Sequence, residues 1–586
     1  SARKREGGRA PYNGKTQVWR VPVEGGAEQA VTREAEGLES FRLSRDGKAV
    51  YFKRSRDESE GEFRELREKF SSVTYGMGTR QVGEIWRLNL DTWRTEKVCE
   101  PGRYIHDFAV SPDQGLVAMI TTPDERLITN EGWSRIDVWV AGERELITLE
   151  ESPWRSGAPS PYGWLEGLAF SDDSQALAFA IVYDGYPTEL FVADWVGVEG
   201  AGAPRARKLE RPDGPYFTGG LRWRPGGRDL CALADFQANA RVFCFTGLED
   251  GAQGETVDLT PNEVVISAYD FRGGNPEQLV TLLSNTALFG DVVLVAPVEH
   301  HLERLLAFRQ ITDVNPHTKR WKLPKVSRMS WKGADGKEVD GILELPPDYD
   351  MAVRLPLIVE LHGGPTGCSY KHLRYWIYGR TLFASRGYAL LSPNYRGSTG
   401  YGDEFLTDLI GRENDIDVSD ILGGIDLLVQ RRMVDPKRVG VMGWSNGGYL
   451  TNCLITLGDR FRAASSGASV VDQLMQWGTQ DTPGHNINYM RGLPWERREA
   501  YLAASPSWNL DKVRAATLIH CGEGDERTPV HHSRLLFRAL RDYGNVPTQL
   551  LIYPDQGHGL TTYTFRRAKL EWDVAWFDRY LLAVED

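Results

Sequence analysis

The sequence contains no uninterrupted apolar segment of the roughly 18 to 20 residues that a membrane-spanning helix needs, so we expect no membrane partner. It also lacks an excess of basic charge. Its 69 Lys and Arg residues against 81 Asp and Glu residues give a net charge of −12, which disfavours a nucleic-acid partner. No secretory signal peptide is visible, which favours the cytoplasm. The basic, polar start leads directly into a strand, as expected for a chain that begins part-way through a repeat with an upstream segment missing.

Cysteine is scarce, with six in 586 residues, and no CxxC pair or zinc-ligand spacing occurs. We therefore expect a reduced interior with no metal and no cofactor. Cys231 and Cys244 lie symmetrically about a predicted hairpin turn near Gln237 and Ala238, so they would be cross-strand neighbours. Because the cysteines are so few, two buried thiols are favoured over a disulfide.

Residues 1–316 show little helical periodicity and a recurring unit of apolar strand, Ser/Asp/Pro/Gly turn and second apolar strand. Copies begin at positions 41, 108, 168, 221 and 269, a spacing typical of one four-stranded sheet per repeat in a β-propeller. Partial repeats at 1–31 and 275–314 allow six to eight blades. We expect seven, the first incomplete. A two-sheet sandwich is the alternative, but it would not need five similar hairpins.

The widest gap between repeats holds an insertion, residues 54–70, rich in Arg and Glu. Phe63, Leu66 and Phe70 fall at helical spacing, which favours a short amphipathic helix leaving the blade. A solvated charged loop is the alternative.

Residues 317–586 alternate predicted strands with predicted helices such as 416–433. This alternation indicates an α/β domain with a parallel sheet covered on both faces. Active sites in such sheets form at the carboxyl ends of the strands. The predicted strands are 355–361, 388–392, 439–442, 516–521 and 549–553.

The pattern Gly443-x-Ser445-x-Gly447 follows a short valine-rich run and precedes an apolar helical stretch. A serine between strand and helix lies on a tight turn that exposes its hydroxyl, and a side chain at either flanking glycine would collide with that turn. The five-residue pattern alone is weak. With the strand and helix around it, we predict a nucleophilic serine rather than a structural glycine-rich turn.

A serine nucleophile needs a base, and the base needs an acid that orients it. We expect His558, flanked by glycines just beyond a predicted strand, to be the base. We expect Asp525 to be the acid, because it follows another strand. Asp555 is the rival, but three residues before His558 it is better explained as a turn former. The order Ser445, Asp525, His558 is that of α/β-hydrolases.

Acyl transfer also needs N–H donors for the tetrahedral oxyanion. The backbone N–H of Asn446, directly after the nucleophile, is one candidate. Gly364, in the His-Gly-Gly-Pro turn that follows the first strong strand, is the other. An ordinary Gly-Pro turn is the alternative for that segment.

At these motifs the chain resembles the prolyl oligopeptidase family of serine peptidases, and most of all its acylaminoacyl-peptidase branch, over essentially its whole length. The resemblance implies that Ser445, Asp525 and His558 are the catalytic triad and that Gly364 and Asn446 form the oxyanion hole. The matching motifs are Leu361-His-Gly-Gly-Pro365, Asn394-Tyr-Arg-Gly-Ser-Thr-Gly-Tyr-Gly402, Gly443-Trp-Ser-Asn-Gly-Gly-Tyr449, Asp525-Glu-Arg-Thr-Pro529 and Gly557-His-Gly559.

The resemblance also implies that Arg527 holds a substrate carbonyl, since a guanidinium carries several fixed donors. A surface salt bridge is the alternative. It further implies a propeller that covers the active site and screens substrates by size, although a docking platform is equally open. The family's specificity pocket corresponds partly to residues 471–495. Met475, Trp477, Ile487 and Tyr489 would form its apolar or aromatic wall, with Tyr489 best placed, or would simply pack.

The dipeptidyl-peptidase branch of the family binds the substrate amine with a pair of propeller glutamates. Glu150 and Glu151 are the one adjacent pair here, and they lack that branch's surrounding pattern. We therefore expect a serine peptidase that cleaves short or N-acylated peptides through an acyl-enzyme. The alternatives are a dipeptidyl-peptidase or carboxypeptidase-type exopeptidase, an esterase or amidase, and, least favoured, an inactive propeller scaffold. Peptides are the expected partners. Homo-oligomer formation stays open.

Overall fold

The computed structural model describes residues 2–5, 7, 9–126, 131–195, 204–300, 303–374 and 377–582. Within this part of the chain, the first half forms successive antiparallel sheets. The first has three strands, β1 (Ala2–Lys4), β2 (Thr16–Arg20) and β3 (Gln29–Ala30). The second has four, β4 (Ser40–Leu43), β5 (Ala49–Ser59), β6 (Thr79–Asn89) and β7 (Thr95–Cys99).

Four further four-stranded sheets follow, each with its strands paired in chain order. Their strands are β8 (Tyr104–Val110), β9 (Leu116–Thr122), β10 (Arg135–Val140) and β11 (Glu145–Thr148); β12 (Trp164–Phe170), β13 (Ala176–Val182), β14 (Glu189–Asp194) and β15 (Ala206–Lys208); β16 (Tyr216–Trp223), β17 (Leu230–Phe236), β18 (Asn239–Thr246) and β19 (Glu255–Asp258); β20 (Val265–Arg272), β21 (Asn275–Ser284), β22 (Asp291–His300) and β23 (Glu303–Gln310). The last two sheets are joined by a single parallel pair, Ala240 with Val265.

The first strands of consecutive sheets contact one another, β8 with β12, β12 with β16 and β16 with β20, as in a propeller. We expected seven blades, and the described residues form six sheets. The difference arises at residues 275–314, which the repeat pattern suggested were part of a further blade. In the structure they supply β21 to β23 and complete the sheet that β20 begins.

A shared hydrogen-bond pattern explains why the Ser-x-Asp turn recurs while the sequences of the strands vary. The Ser44 hydroxyl donates to Asp46 Oδ1 at 2.6 Å, and the same oxygen accepts the N–H of Lys48 at 3.0 Å. The Ser44 oxygen in turn accepts the N–H of Ala49 at 2.9 Å. Short polar side chains thus hold the hairpin together with the backbone hydrogen bond from the Ser44 N–H to the Ala49 carbonyl. The same pairs are Ser111 with Asp113 and Ser171 with Asp173.

The insertion in the second sheet contains a helix, α1 (Arg64–Lys69), between the long strands β5 and β6. The apolar side chains that predicted it, Phe63, Leu66 and Phe70, are all exposed to solvent. The helical spacing was therefore informative about the backbone, although this helix buries none of its residues.

Cys231 and Cys244 form a disulfide, so our expectation of two buried thiols is wrong. The two residues lie directly opposite each other on β17 and β18, which brings their Cα atoms to 3.9 Å. Directly opposed cross-strand positions place side chains close enough to bond. The symmetry about the turn at Gln237 and Ala238 was the correct signal, and the scarcity of cysteine was misleading. Because this pair is oxidised, the scarcity of cysteine no longer supports a reduced interior.

An eight-stranded sheet dominates the second half, in the order β24-β25-β27-β26-β28-β29-β30-β31. Its first two pairings, β24 with β25 and β25 with β27, are antiparallel, and the rest are parallel. The strands are β24 (Lys325–Lys332), β25 (Glu338–Leu345), β26 (Leu355–Leu361), β27 (Ala389–Asn394), β28 (Val434–Trp444), β29 (Ala463–Gly467), β30 (Ala516–Gly522) and β31 (Thr548–Tyr553).

Helices connect these strands and cover both faces of the sheet. They are α3 (Arg380–Ser385), α4 (Asp403–Thr407), α5 (Ile416–Gln430), α6 (Asn446–Ile455), α7 (Gln473–Thr479), α8 (Pro483–Met490), α9 (Arg498–Ala503), α10 (His531–Arg538) and α11 (Tyr563–Phe577), with α2 (Ser152–Arg155) in the first half. On β26, Leu357 packs in a cluster with residues of α5 and α6, whereas Ile358 packs with α3 and α11. Successive residues of a strand face opposite ways, so this central strand is buried on both faces.

All five strands predicted for the second half are present, and the predicted helix at 416–433 corresponds to α5. The sequence prediction missed the two antiparallel strands β24 and β25, and it missed β29, whose residues Ala-Ala-Ser-Ser-Gly are small and lack an apolar run. Among the described residues, no helix is both long and apolar enough to cross a bilayer.

Candidate active site

Ser445 lies on the turn between β28 and α6, with φ 61° and ψ −124°, a backbone conformation that a side-chain-bearing residue rarely adopts. A Cβ atom on Gly447 would lie 2.0 Å from the carbonyl oxygen of Leu361, and one on Gly443 would lie 2.2 Å from the carbonyl carbon of Gly447. Neither distance is tolerable against backbone atoms. The two glycines therefore let the strand, the turn and the helix come together beneath the serine.

His558 lies between Ser445 and Asp525. Its Nε2 is 2.9 Å from Ser445 Oγ, and its Nδ1 is 3.0 Å from Asp525 Oδ2 and 3.1 Å from Oδ1. One tautomer satisfies both contacts: Nδ1–H donates to the carboxylate, and Nε2 accepts the hydrogen bond from the serine hydroxyl. The structure thus brings together the three side chains that the sequence predicted to be the nucleophile, the base and the acid.

Asp525 is held by its own turn. The backbone N–H groups of Arg527 and Thr528 each donate to Asp525 Oδ1 at 2.9 Å, and the Thr528 hydroxyl lies 2.9 Å from Oδ2. These donors fix the carboxylate, and the side chain is fully buried. Thr528 was missed by our sequence analysis, although a threonine three residues after an aspartate is a recognisable turn pattern.

The loop that carries His558 is held by Trp444, whose indole N–H donates to the His558 carbonyl at 2.8 Å. Asp555 has a positive φ of 56°, as expected for a turn former. The hydrogen bonds of His558 go to Asp525 rather than to Asp555.

Gly364 and Asn446 line the same cavity as Ser445. Gly364 has φ 127°, which favours glycine, in the turn that follows β26. Asn446 is the first residue of α6, so its N–H has no partner within the helix. Both residues therefore lie at the cavity where the sequence predicted an oxyanion hole.

A cavity of about 260 Å³ opens beside Ser445, and its wall is largely polar. Helix α7 and its end supply Gln473, Gln476 and Gln480. The propeller supplies Asp184, from the loop after β13. The cavity therefore lies between the two halves of the chain.

The expected apolar wall is not observed. Tyr489 is fully buried, and its hydroxyl lies 3.0 Å from Thr366 Oγ1. Trp477 packs edge-on against Trp495, with ring centroids 5.5 Å apart. Neither lines the cavity, and the same is true of Met475 and Ile487. Positions 473, 476 and 480 share one helical face, and this face turns to the cavity. Met475 and Trp477, which lie between these positions, therefore point away from the cavity.

Arg527 also lines the cavity, and its guanidinium pairs with Asp481, with Nη2 3.1 Å from Oδ2. The salt bridge we gave as the alternative is therefore present, and the guanidinium still faces the cavity.

Glu150 and Glu151 are not among the residues that line the cavity. Two other acidic residues of the propeller, Asp184 and Glu131, lie near it. Asp184 Oδ2 is 3.3 Å from His485 Nδ1. Glu131 Oε2 accepts the N–H of Gly484 at 2.6 Å, and burial raises the pKa of Glu131 to about 7. Sequence reasoning missed both, because single acidic residues in blade loops carry no pattern of their own.

In the part of the chain that the structure describes, no cluster of three or more His, Cys, Asp or Glu side chains could hold a metal ion. A propeller followed by an α/β domain, with Ser445, His558 and Asp525 joined at the strand ends, defines an α/β-hydrolase with an N-terminal propeller.

Comparison with known proteins agrees with this class. The prolyl oligopeptidase family model matches residues 377–583, and this part of the chain is a prolyl oligopeptidase family domain. An uncharacterized peptidase, YuxL, of Bacillus subtilis is 33% identical over 258 residues, 42% of this chain and 38% of that protein. The acylamino-acid-releasing enzyme of Arabidopsis thaliana is 31% identical over 242 residues, 38% of this chain and 30% of that enzyme. The matches thus span well under half the length of these relatives.

Among solved structures, the acylaminoacyl peptidase of Pyrococcus horikoshii superposes with a TM-score of 0.77 and 20% identity, covering 97% of this chain and 86% of that one. At this identity the likeness concerns the fold, and it includes the propeller half.

Proposed function

We propose that this protein is a serine peptidase that hydrolyses short or N-acylated peptides through an acyl-enzyme. The observation that carries the proposal is the position of His558, with Nε2 2.9 Å from Ser445 Oγ and Nδ1 3.0 Å from Asp525 Oδ2. The acylamino-acid-releasing enzymes among the relatives support the peptide substrate class.

In the first half of the reaction, Ser445 Oγ attacks the carbonyl carbon of the scissile bond while His558 Nε2 takes the hydroxyl proton. The Asp525 carboxylate, fixed by the N–H groups of its turn, stabilises the imidazolium that forms. The N–H groups of Gly364 and Asn446 receive the oxyanion. Collapse expels the amine, which takes the proton from His558, and leaves the acyl group on Ser445.

In the second half, water takes the place of the departed amine. His558 Nε2 accepts a proton from this water as the oxygen attacks the acyl carbonyl carbon. The second tetrahedral intermediate collapses, the proton returns to Ser445 Oγ, and the carboxylic acid leaves. The same groups thus serve both halves.

We assign the propeller to residues 1–316 and the hydrolase domain to 317–586, because β23 ends at Gln310 and β24 begins at Lys325. The propeller restricts substrate size in this proposal. Its support is the loop after β13, which brings Asp184 into the cavity wall and leaves about 260 Å³ of space beside Ser445.

We also assign Arg527 to the substrate carbonyl. Its guanidinium lines the cavity and is oriented by the contact of Nη2 with Asp481. A guanidinium that is bound to one carboxylate retains further N–H donors, so one face remains for a carbonyl oxygen.

The test is a panel of acyl-amino-acid anilides, dipeptidyl anilides and short esters, assayed with the wild type, Ser445→Ala and a control, Ser385→Ala. Ser385 is an exposed serine at the end of α3. We expect Ser445→Ala to lower kcat for anilides by about 10⁴-fold or more, and the control to match the wild type. Wild-type hydrolysis of esters alone would favour the esterase alternative. Full activity of Ser445→Ala, or none in the wild type, would refute the proposal.

A further inference from the structure

Two ion pairs contribute to the cavity beside Ser445. Asp184 lies 3.3 Å from the His485 imidazole, and Arg527 is held by Asp481, with Nη2 3.1 Å from Oδ2. Burial alone would lower the pKa of His485, but the hydrogen bond and charge of Asp184 raise it. Each positive group at the cavity thus already has a negative partner.

Glu413 lines the same cavity and has no such partner. It lies in the loop between α4 and α5 and is 8% exposed. Within the described part of the chain, no group donates a hydrogen bond to its carboxylate or forms an ion pair with it. Charging a buried carboxyl group without a partner is costly, and such groups in native proteins cluster at functional sites.

A second carboxyl group lies close to Glu413. Asp417 is 1% exposed and accepts the backbone N–H groups of Asn414, Asp415 and Val418 at 3.3, 3.1 and 2.8 Å. Its partners are therefore backbone amides, and no cation among the described residues forms an ion pair with it. Burial raises the pKa of both carboxyl groups to about 7, and the Glu413 charge adds to the rise at Asp417.

The Gln476 amide in the cavity wall leaves a free acceptor rather than a free donor. Gln476 Nε2 donates to Gln480 Oε1 at 2.8 Å and to the Arg527 carbonyl at 2.7 Å. Because both partners can only accept, the orientation of this amide is fixed. Its Oε1 then has no donor among the described residues, although Gln476 is 4% exposed. The Gln480 amide nitrogen donates to Asn486 Oδ1.

We propose that this cavity receives a basic side chain, lysine or arginine, on the residue whose carbonyl Ser445 attacks, with Glu413 as its counter-ion. The proposal rests on the peptidase function above. Ammonium and guanidinium groups carry only donors, which complements a wall with an unpaired carboxylate and a free amide oxygen. The Nε2 group of Gln476 already serves two acceptors, so this amide offers the bound side chain only its oxygen.

The test compares N-acetyl-arginine and N-acetyl-citrulline anilides, which match in shape and differ in charge. We expect the wild type to prefer arginine by about 100-fold in kcat/KM, as for a buried charge pair. Glu413→Gln should reduce the preference to about 10-fold or less. Gln476→Met, which removes the second acceptor at similar size, should reduce it partly. The control Glu499→Gln, at an exposed position on α9, should keep the wild-type ratio. A ratio of kcat/KM values does not depend on how much protein is folded.

A second measurement separates this inference from the peptidase proposal. Calorimetric titration of Ser445→Ala with N-acetyl-arginine amide and N-acetyl-citrulline amide measures the affinity of the cavity for each compound without turnover. We expect arginine amide to bind at least about 10-fold more tightly, and the difference to disappear when Glu413→Gln is added. Equal cleavage of both anilides by the wild type, or a ratio unchanged in Glu413→Gln, would overturn the inference and leave the peptidase function standing. If no anilide is cleaved, the peptidase proposal fails, and the binding comparison decides the inference alone.

Discussion

At Glu413 the protein retains a carboxyl group where burial makes the charged form unfavourable. The same residue lines the cavity beside Ser445. The charged form of Glu413 lowers stability, whereas the proposed recognition of a basic side chain requires it. Such a conflict is characteristic of functional positions.

This conflict predicts a pH dependence of stability. The pKa of Glu413 rises from its ordinary value of 4.5 to about 7 in the folded protein, so the folded state holds the proton more tightly than the unfolded state. Stability from this group is complete below pH 4.5 and is lost as the pH rises to 7. The loss amounts to about 3 kcal/mol, at about 1.4 kcal/mol for each tenfold change in proton affinity. The charge of His485 opposes the rise at Glu413. Burial, together with the Glu413 charge, raises the pKa of the other titratable groups that face Glu413, which are Asp417, Tyr449, Cys453, Tyr489 and Tyr501.

Glu413→Gln should therefore gain stability relative to the wild type between pH 5 and pH 8, by up to about 3 kcal/mol. Urea denaturation of both proteins at the two pH values, followed through the transition of the hydrolase domain, measures the change. Glu499→Gln serves as the exposed control and should shift equally at both. A difference between Glu413→Gln and the wild type that is the same at pH 5 and pH 8 would contradict the account.

At the scale of elements, the turn between β28 and α6 depends on close backbone contact. Gly447→Ala would place a methyl group 2.0 Å from the Leu361 carbonyl oxygen, at the end of β26, and backbone cannot move aside as a side chain can. We expect a loss of about 1 to 3 kcal/mol in unfolding free energy together with most of the peptidase activity. Gly478→Ala on α7, where a Cβ meets nothing within 4 Å, is the matched control and should be neutral or mildly stabilising. An active, fully stable Gly447→Ala protein would show that the turn tolerates displacement.

The elements that position Ser445, Asp525 and His558 could be predicted from sequence, because each of these residues follows an apolar strand in chain order. The pocket wall could not. Met475 and Trp477 and the glutamines around them lie on the same short helix, and only the packing of α7 shows which face turns to the cavity. Hydrophobic character favoured the wrong face.

Glu413 was hidden for a different reason. It precedes Ser445 by 32 positions in a loop without a motif, so only tertiary structure brings the two residues to one cavity. The disulfide between Cys231 and Cys244 shows the reverse case. The local pattern located the pair correctly, and overall composition led to the wrong choice of oxidation state.

At the scale of the whole molecule, the propeller contacts the segments that surround the active site. The N–H of Gly185 donates to Thr366 Oγ1 at 3.0 Å, two residues after Gly364. The Asn488 amide nitrogen donates to the Asp184 carbonyl at 2.9 Å. The loop after β13 thus joins the glycine turn after β26 to helix α8, and the two halves of the chain form the cavity together.

A third contact lies beside these. Asp235 of the propeller accepts hydrogen bonds from the Thr399 hydroxyl at 2.6 Å and the Tyr370 hydroxyl at 2.8 Å, both in the hydrolase half. Burial raises the pKa of Asp235 to about 6. Buried, fully hydrogen-bonded polar groups of this kind fix the relative position of the two halves rather than merely adding contact area.

The central claim is that Ser445 is a nucleophile activated by His558 within this assembled site. Labelling with diisopropyl fluorophosphate, read by intact mass and peptide mapping, tests it most directly. We predict one phosphoryl group per chain, on the peptide that contains Ser445, with no label on Ser445→Ala and labelling slowed by at least about 10³-fold in His558→Ala. A label on another residue, or a Ser445→Ala protein labelled at the wild-type rate, would contradict the account.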